Sequence, residues 1–306
     1  MPLYLDPKND LIFKKIFGEH PDLLISFLNA LMPFPAGRQI KSVEYLPAEL
    51  VPDTPIKKNS IVDVRCTDNY KRQFIVEMQM FWSTVFNKRL VFNATKAYSR
   101  QLEKGEHFKL LQPVYGLGIL NDTFDVKTPE FYHHYRIINR QHTDEVLEGL
   151  EFVLVELPKF KPEKWTDRKM AVLWLRFLKE MEECTTTVSD DLLEDEYIRQ
   201  AVDMCEKAAF TPAERECYEQ YWLEISYERS LADASYDDGM EKGLAEGLEK
   251  GMKEGMREGM KEGKREGMEQ VVVKSFKKGF SVKDISDLTE LDEEEILHIL
   301  QKNKLL

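Results

Sequence analysis

Glycine recurs at positions 239, 243, 247, 251, 255, 259, 263 and 267, every fourth residue without exception, usually followed by Met or Leu, with Lys, Arg and Glu between. A globular core has no place for such a run. Each interior glycine costs a helix about 0.8–1 kcal/mol relative to Ala, and the remaining columns are dense with charge. At about 100° per residue, a four-residue step moves the glycine column by roughly 40° per repeat around a straight helix. Two outcomes stay open: a solvated, partly helical linker, or several copies packed along the glycine and methionine stripe with a right-handed twist. G-x-x-x-G in an apolar 20-mer would indicate packing within a membrane, but the charge excludes that here. The repeat therefore divides the chain into an expected core over 1–162, a helical extension over 163–236, the repeat itself over 237–270 and a small helical pair over 271–306.

Apolar residues at Leu11, Ile12, Phe13, Ile16, Phe17, Leu23, Leu24, Phe27, Leu28 and Leu31 recur with helical spacing, interrupted by Gly18 and Pro21. They predict two short helices or one broken helix. The period then changes: Val43–Leu46, Ile61–Cys66 and Phe74–Met80 read as strands, the last two forming an antiparallel hairpin across Thr67–Arg72. Thr84–Gly105 reads as a helix ending at its glycine, followed by strands at Val114–Leu120, Phe131–Ile138 and Phe152–Leu157. From Trp165 to about Leu231 the pattern is helical throughout, and Ser281 with Asp284 forms a capping-box start for the terminal pair. The chain is thus α/β over its first half and α thereafter.

Composition removes several classes of function. Apolar residues make up 42% and charged residues 32% of the 306, with a net charge of −12. The apolar run from Leu23 to Gly37 is shorter than the roughly 18 residues a spanning helix needs, and it contains Asn29, Pro33 and Pro35. Asp6, Lys8 and Asp10 open the chain without an apolar stretch behind them, so no signal peptide is expected and the protein reads as cytoplasmic. Cys66, Cys184, Cys205 and Cys217 lack the C-x-x-C spacing of a zinc knuckle or redox pair. No G-x-x-x-x-G-K-[ST] loop is present for nucleotide hydrolysis. Charge is unevenly spread: residues 1–113 hold 16 Lys+Arg against 12 Asp+Glu, leaving a balance of −16 for the remainder. A local basic surface in the first third is compatible with nucleic acid. The acidic terminal pair, with Asp284, Asp287, Glu290 and Asp292 through Glu295, suits protein contact better than phosphate.

The chemistry converges on the hairpin. Within Phe74-Ile75-Val76-Glu77-Met78-Gln79-Met80, the strand period puts Glu77 and Gln79 on one face. With the turn centred on Tyr70, opposed residue numbers sum to 140 and Asp63 faces Glu77. Directly opposed side chains have Cβ atoms about 4.5–5.5 Å apart, close enough to share a divalent cation, whereas a one-residue slip would put Val76 opposite Asp63. Two carboxylates on strands, with a neutral amide and a main-chain carbonyl beside them, suit Mg²⁺ or Mn²⁺. Gln79 does not ionise, so it can ligate or orient a water but cannot act as a base. On spacing alone, both carboxylates also fit ordinary solvent-face strand positions.

Asp63 followed by Glu77-x-Gln79 resembles the D…(D/E)-x-K core of the PD-(D/E)XK nuclease superfamily, with Gln in place of Lys. More narrowly, the chain resembles the PD-(D/E)XK family transposases, also called recombination-promoting nucleases, over about residues 4–165 and in its glycine tail. The matching segments are Asp6-Pro7-Lys8-Asn9-Asp10, Phe13-Lys14, Ile16-Phe17-Gly18, Phe27-Leu28-Asn29, Ile61-Val62-Asp63-Val64 and Ile75-Val76-Glu77-Met78-Gln79. Arg89, Tyr98, Gln101, Gly105, Pro113-Val114-Tyr115 and Val155-Glu156-Leu157-Pro158-Lys159-Phe160 continue the match. The resemblance implies a restriction-endonuclease-like core, a mixed sheet flanked by helices, with an all-α extension and a Gly-repeat helical tail. It implies a metal-dependent DNA endonuclease acting on double-stranded DNA, linked to recombination, with Asp63 and Glu77 as metal ligands and Gln79 at the lysine position. Because some superfamily members recruit a lysine from elsewhere, Lys96 is the candidate replacement. Arg89, Asn93, Lys96 and Arg100 recur on one helical face, a candidate phosphate-contacting surface that is equally a solvated one, with Val91, Thr95, Tyr98 and Leu102 as the expected core stripe. Asp10 is a candidate accessory acid, its alternative being a helix N-terminal residue favoured by the macrodipole. Tyr98, the other accessory candidate, reads as a packing aromatic rather than a nucleophile, and His133-His134 fall on opposite strand faces. The alternative function is a nuclease fold that has lost catalysis and serves as a DNA-binding or assembly module, and either way the tail makes a homo-oligomer the expected state.

Overall fold

The computed structural model describes residues 3–50, 60–164, 169–183 and 185–306. Asn9 caps the first helix through a bond from Leu11 N, and α1 (Asp10–Glu19) is followed by α2 (Pro21–Leu31), the break falling at His20-Pro21. Strands β1 (Val43–Tyr45), β2 (Glu49–Leu50), β3 (Ser60–Ile61), β4 (Val64–Asp68) and β5 (Gln73–Gln79) lead into α3 (Thr84–Ser99). Then come β6 (Val114–Leu120), β7 (Tyr132–Ile138), β8 (Val146–Glu156), α4 (Lys169–Glu180), α5 (Asp190–Leu193), α6 (Glu196–Met204), α7 (Pro212–Lys277), α8 (Val282–Thr289) and α9 (Glu293–Lys302). Six strands form one mixed sheet in the order β1-β4-β5-β6-β8-β7, while β2 and β3 pair separately. The centre, β5-β6-β8, is parallel and its flanks are antiparallel. Parallel neighbours need a crossover, and α3 supplies it between β5 and β6.

Alternation along β5 sorts its side chains to two layers. Phe74, Val76, Met78 and Met80 join a large core with α1, α2, α4 and α6, whereas Ile75 joins a smaller one under α3. Trp174 of α4 reaches into the middle of the first core, 5.3 Å from Phe17 and 5.5 Å from Phe27 between ring centroids, and donates to Ser26 Oγ at 3.0 Å. The helices after residue 169 therefore complete the sheet's own core. By internal contacts the chain divides into Met1–Arg229 and Ser230–Leu306.

The structure corrects several sequence expectations. The strand expected over Ile61–Cys66 is broken by a bend at Val62-Asp63. The helix expected to reach Gly105 stops at Ser99 with Arg100 as its cap, and Gly105 (φ 97°) lies in a later turn. The last expected strand begins earlier, at Val146. The expected continuous helix after Trp165 is interrupted, by non-helical chain before α5 and by a link between α6 and α7 that holds only a 3-10 turn at Lys207–Ala209; residues 165–168 and Cys184 lie outside the described residues. On α3 the buried residues are Phe86, Leu90, Asn93, Ala94 and Ala97, whereas Val91 is 44% exposed, Thr95 is exposed and Leu102 lies beyond the helix.

That rotation of α3 has a steric cause. Gly116 and Gly118 of β6 lie under the helix, where a Cβ at 116 would sit 3.2 Å from Leu90 Cδ1 and one at 118 would sit 3.1 Å from the Phe86 ring. Small residues on both elements let the backbones approach. The terminal unit has its own small core of Val272, Ile285, Ile296 and Leu300, and Ser281 with Asp284 forms the expected capping box. The glycine repeat is helical throughout within α7. Cys66, Cys205 and Cys217 are free thiols. Among the described residues no helix is long and apolar enough to cross a membrane.

Gly118→Ala tests the close approach. The new methyl meets Leu154 Cδ2 at 2.7 Å as well as Phe86, so a loss of about 1–3 kcal/mol is expected. Thermal denaturation should register this as a fall of roughly 2–4 °C per kcal/mol. An unchanged melting temperature would mean that helix and sheet separate freely.

Candidate metal and phosphodiester site

In the β4–β5 pair Val64 faces Val76, Arg65 faces Ile75, Cys66 faces Phe74 and Thr67 faces Gln73, the register expected from the sequence. The paired residues end at Val64 and Val76, one short of the expected Asp63–Glu77 opposition, and Asp63 itself lies outside the ladder. Asp63 occupies the bend between β3 and β4, and its Oδ2 accepts the Met78 main-chain N–H at 2.7 Å, so the carboxyl is tied to β5 between Glu77 and Gln79. Burial, then the negative charges of Asp10 and Glu77, push the Asp63 carboxyl up to about 7, against the Met78 N–H and Lys14.

Glu77 is 2% exposed in the centre of the sheet. Its Oε1 accepts from Asn93 Nδ2 at 2.8 Å, and its Oε2 lies 3.3 Å from Arg89 Nη2. The same Nη2 donates to Gln79 Oε1 at 2.6 Å. One helical turn of α3 thus grips both polar residues of the E-x-Q segment, Arg89 from the rim and Asn93 from within. Asn93, which the sequence puts on a solvated or phosphate-contacting face, is fully buried here.

Asp10 is the first residue of α1 and pairs with Lys14 at 2.8 Å, so it serves the helix terminus; its charge also reaches Asp63. Tyr221 of α7 carries no sequence signal of a role, yet burial and then the charges of Asp10 and Asp63 raise its phenol well above the usual range. It is held protonated beside the carboxylates. Lys96 has its ammonium 5.8 Å from the Phe92 ring centroid, and Arg100 lies near enough to Arg65 to help lower that guanidinium's pKa, after burial. Tyr98 packs against the core under α3, beside Gly149. His133 and His134 do face opposite ways, bonding Glu156 at 2.8 Å and Glu151 at 2.5 Å. A cavity of about 420 Å³ lined by Arg38, Tyr70, Arg72, Tyr115, His134 and Arg136 includes none of Asp63, Glu77 and Gln79.

Among the described residues no three His, Cys, Asp or Glu side chains form a ready metal cluster. The donor set here is two carboxylates with the Gln79 amide, all oxygen, which suits a hard divalent cation with several waters. The electrostatics fit as well: Asp63 is destabilised as an anion by burial and then by its acidic neighbours, and Glu77 and Gln79 already share a cationic nitrogen.

A family model described as PD-(D/E)XK nuclease family transposase matches residues 7–227. No curated protein and no solved structure matches the chain.

The raised Asp63 value carries a sign for stability. A carboxyl that ordinarily titrates at 3.8 and here titrates at about 7 favours the folded state while protonated, and that contribution is lost as pH rises through 7. In metal-free buffer, Asp63→Asn should therefore raise the melting temperature more at about pH 8 than at about pH 5. An equal shift at both, measured by calorimetry, would contradict the burial of this charge.

Proposed function

The chain belongs to the PD-(D/E)XK nuclease family transposases, and on that premise we propose that it is a divalent-metal-dependent endonuclease of double-stranded DNA, of the recombination-promoting type. The observation that carries the reading is that Asp63, held to β5 by the Met78 N–H, lies close enough to Glu77 for the Glu77 charge to bear on its carboxyl. Asp63 and Glu77 would hold Mg²⁺ or Mn²⁺. When bound, such an ion supplies Lewis acidity toward a phosphodiester and acidifies an attacking water. Asn93 holds Glu77 in one orientation and the Met78 N–H does the same for Asp63, so neither carboxylate reorganises on binding. Gln79, unable to ionise, orients water or a neighbouring donor by hydrogen bonding. Lys96 and Arg100, with Arg89, would meet the DNA backbone along α3.

The rival reading, a nuclease fold without catalysis that binds DNA or organises assembly, draws on the Gln at the lysine position. Nicking of supercoiled plasmid with Mg²⁺ or Mn²⁺ separates the two. Cleavage that falls by about a hundredfold or more in both Asp63→Ala and Glu77→Ala is the expected result. DNA retained without cleavage by the wild type would favour the rival.

The repeat supports self-association as part of this reading. Met240, Leu244, Leu248, Met252, Met256 and Met260 are 64–76% exposed, and among the described residues nothing beyond the adjacent turns of the helix itself lies within 4 Å of where a side chain on the repeat glycines would begin. The columns flanking that stripe are Glu241, Glu249, Lys253, Arg257, Lys261 and Arg265 on one side, and Lys242, Lys250, Glu254, Glu258, Glu262 and Glu266 on the other. In a parallel, in-register pair of helices, opposite flanks meet, and these columns then complement each other in sign at every row except that of Ala245 and Glu246. A second copy of the chain is the occupant this pattern suits. Met252→Lys with Met256→Lys should lower the sedimentation mass of the full chain toward that of a monomer; an unchanged mass would remove the repeat from assembly.

A further inference from the structure

The geometry points to Arg89 as the group that supplies, from α3, the positive charge that the D…(D/E)-x-K pattern carries on its lysine, with Gln79 as its anchor. This inference rests on the nuclease reading above. Gln79 occupies the lysine position with a neutral amide, and its Oε1 accepts from Arg89 Nη2 at 2.6 Å. The same nitrogen lies 3.3 Å from Glu77 Oε2, so a permanent cation spans both ends of the E-x-Q segment. Its side chain is 47% exposed, whereas Glu77 beneath it is closed to solvent. Arg89 therefore stands at the mouth of the site, able to face an incoming phosphodiester without leaving its anchor. A guanidinium presents five donors in a planar fork, and both observed bonds run through one nitrogen.

The helix holds the group in place. Arg89 Cζ is 5.5 Å from the Phe86 ring centroid, and Asn93, one turn further on, fixes the other oxygen of Glu77. The charge is delivered by a rigid element packed on glycines, which is what electrostatic stabilisation of a charged transition state requires. Lys96, the replacement expected from the sequence, has its ammonium beside the Phe92 ring. A role limited to neutralising buried Glu77 would also explain the ion pair, but it would give Gln79 no part.

The decisive comparison is cleavage of supercoiled plasmid in Mn²⁺ by the wild type, Arg89→Ala, Arg89→Lys and the double variant Arg89→Ala with Gln79→Lys, alongside Mn²⁺ affinity by calorimetry. Arg89→Ala should lose about a hundredfold or more in rate, Arg89→Lys should lose less, and Gln79→Lys in the Arg89→Ala background should recover about tenfold or more by returning the charge to the strand. Mn²⁺ should bind Arg89→Ala a few-fold more tightly, since no cation then competes for Glu77 and Gln79. An active wild type with no recovery by Gln79→Lys, or with Mn²⁺ affinity unchanged in a folded Arg89→Ala, overturns this assignment and leaves the nuclease reading intact. A wild type that binds Mn²⁺ no better than Asp63→Ala, or that cleaves no DNA, overturns the nuclease reading and this inference together.

Discussion

A carboxyl group sealed in the middle of a sheet needs donors to meet its oxygens there. Glu77 is in that position, and both of its oxygens are met from one helix. Much of the architecture around the candidate site follows from that pairing. The helix must lie close to β5 and β6, so β6 presents glycines at 116 and 118, and α3 presents Leu90 and Phe86 to them. The turn of α3 that buries Asn93 also sets Arg89 at the rim. Rotated toward the stripe expected from hydrophobic spacing, the helix would bury Val91 but leave Glu77 without its partners.

The opposite face of the sheet is supported differently. Phe13, Phe17, Phe27 and Trp174 form an aromatic centre between α1, α2 and α4, and the N-terminal segment is locked against the later helices by buried polar contacts. Lys8, 3% exposed, pairs with Asp6 at 2.9 Å and donates to the carbonyls of Leu178 and Met181. Asp6 N in turn donates to the Tyr218 hydroxyl. These links explain why the family match runs on to residue 227, well past the last strand. They also bring Tyr221 and α1 beside Asp63, so the acid at the bend is shaped by segments from both ends of the unit.

The repeat obeys another economy. A helix with glycine at every fourth position gains little from propensity, and among the described residues its apolar stripe is largely exposed. Helical stability in water usually derives from a packed face, and a glycine and methionine stripe flanked by columns of largely opposite charge is suited to close approach by a like helix.

Much was legible in one dimension. Periodicity located α1, α2, the hairpin, β6 and the terminal pair, because each has a clean period of 3.6 or 2 and a turn or cap at its end. The register of the hairpin from Val64 onward followed from its turn, because strand pairing allows only integer slips and the wrong one exposes the apolar set. The repeat, the reduced cysteines and the opposed histidines were equally local facts. What tertiary structure decided was everything that depends on approach: the bend that turns Asp63 toward α1, the rotation of α3, the burial of Asn93, the Arg89–Gln79 bond, and the presence of Tyr221. No local signal encodes these, since each arises where segments distant in sequence are forced together by packing, and a buried charge then selects whichever donors that packing brings within reach.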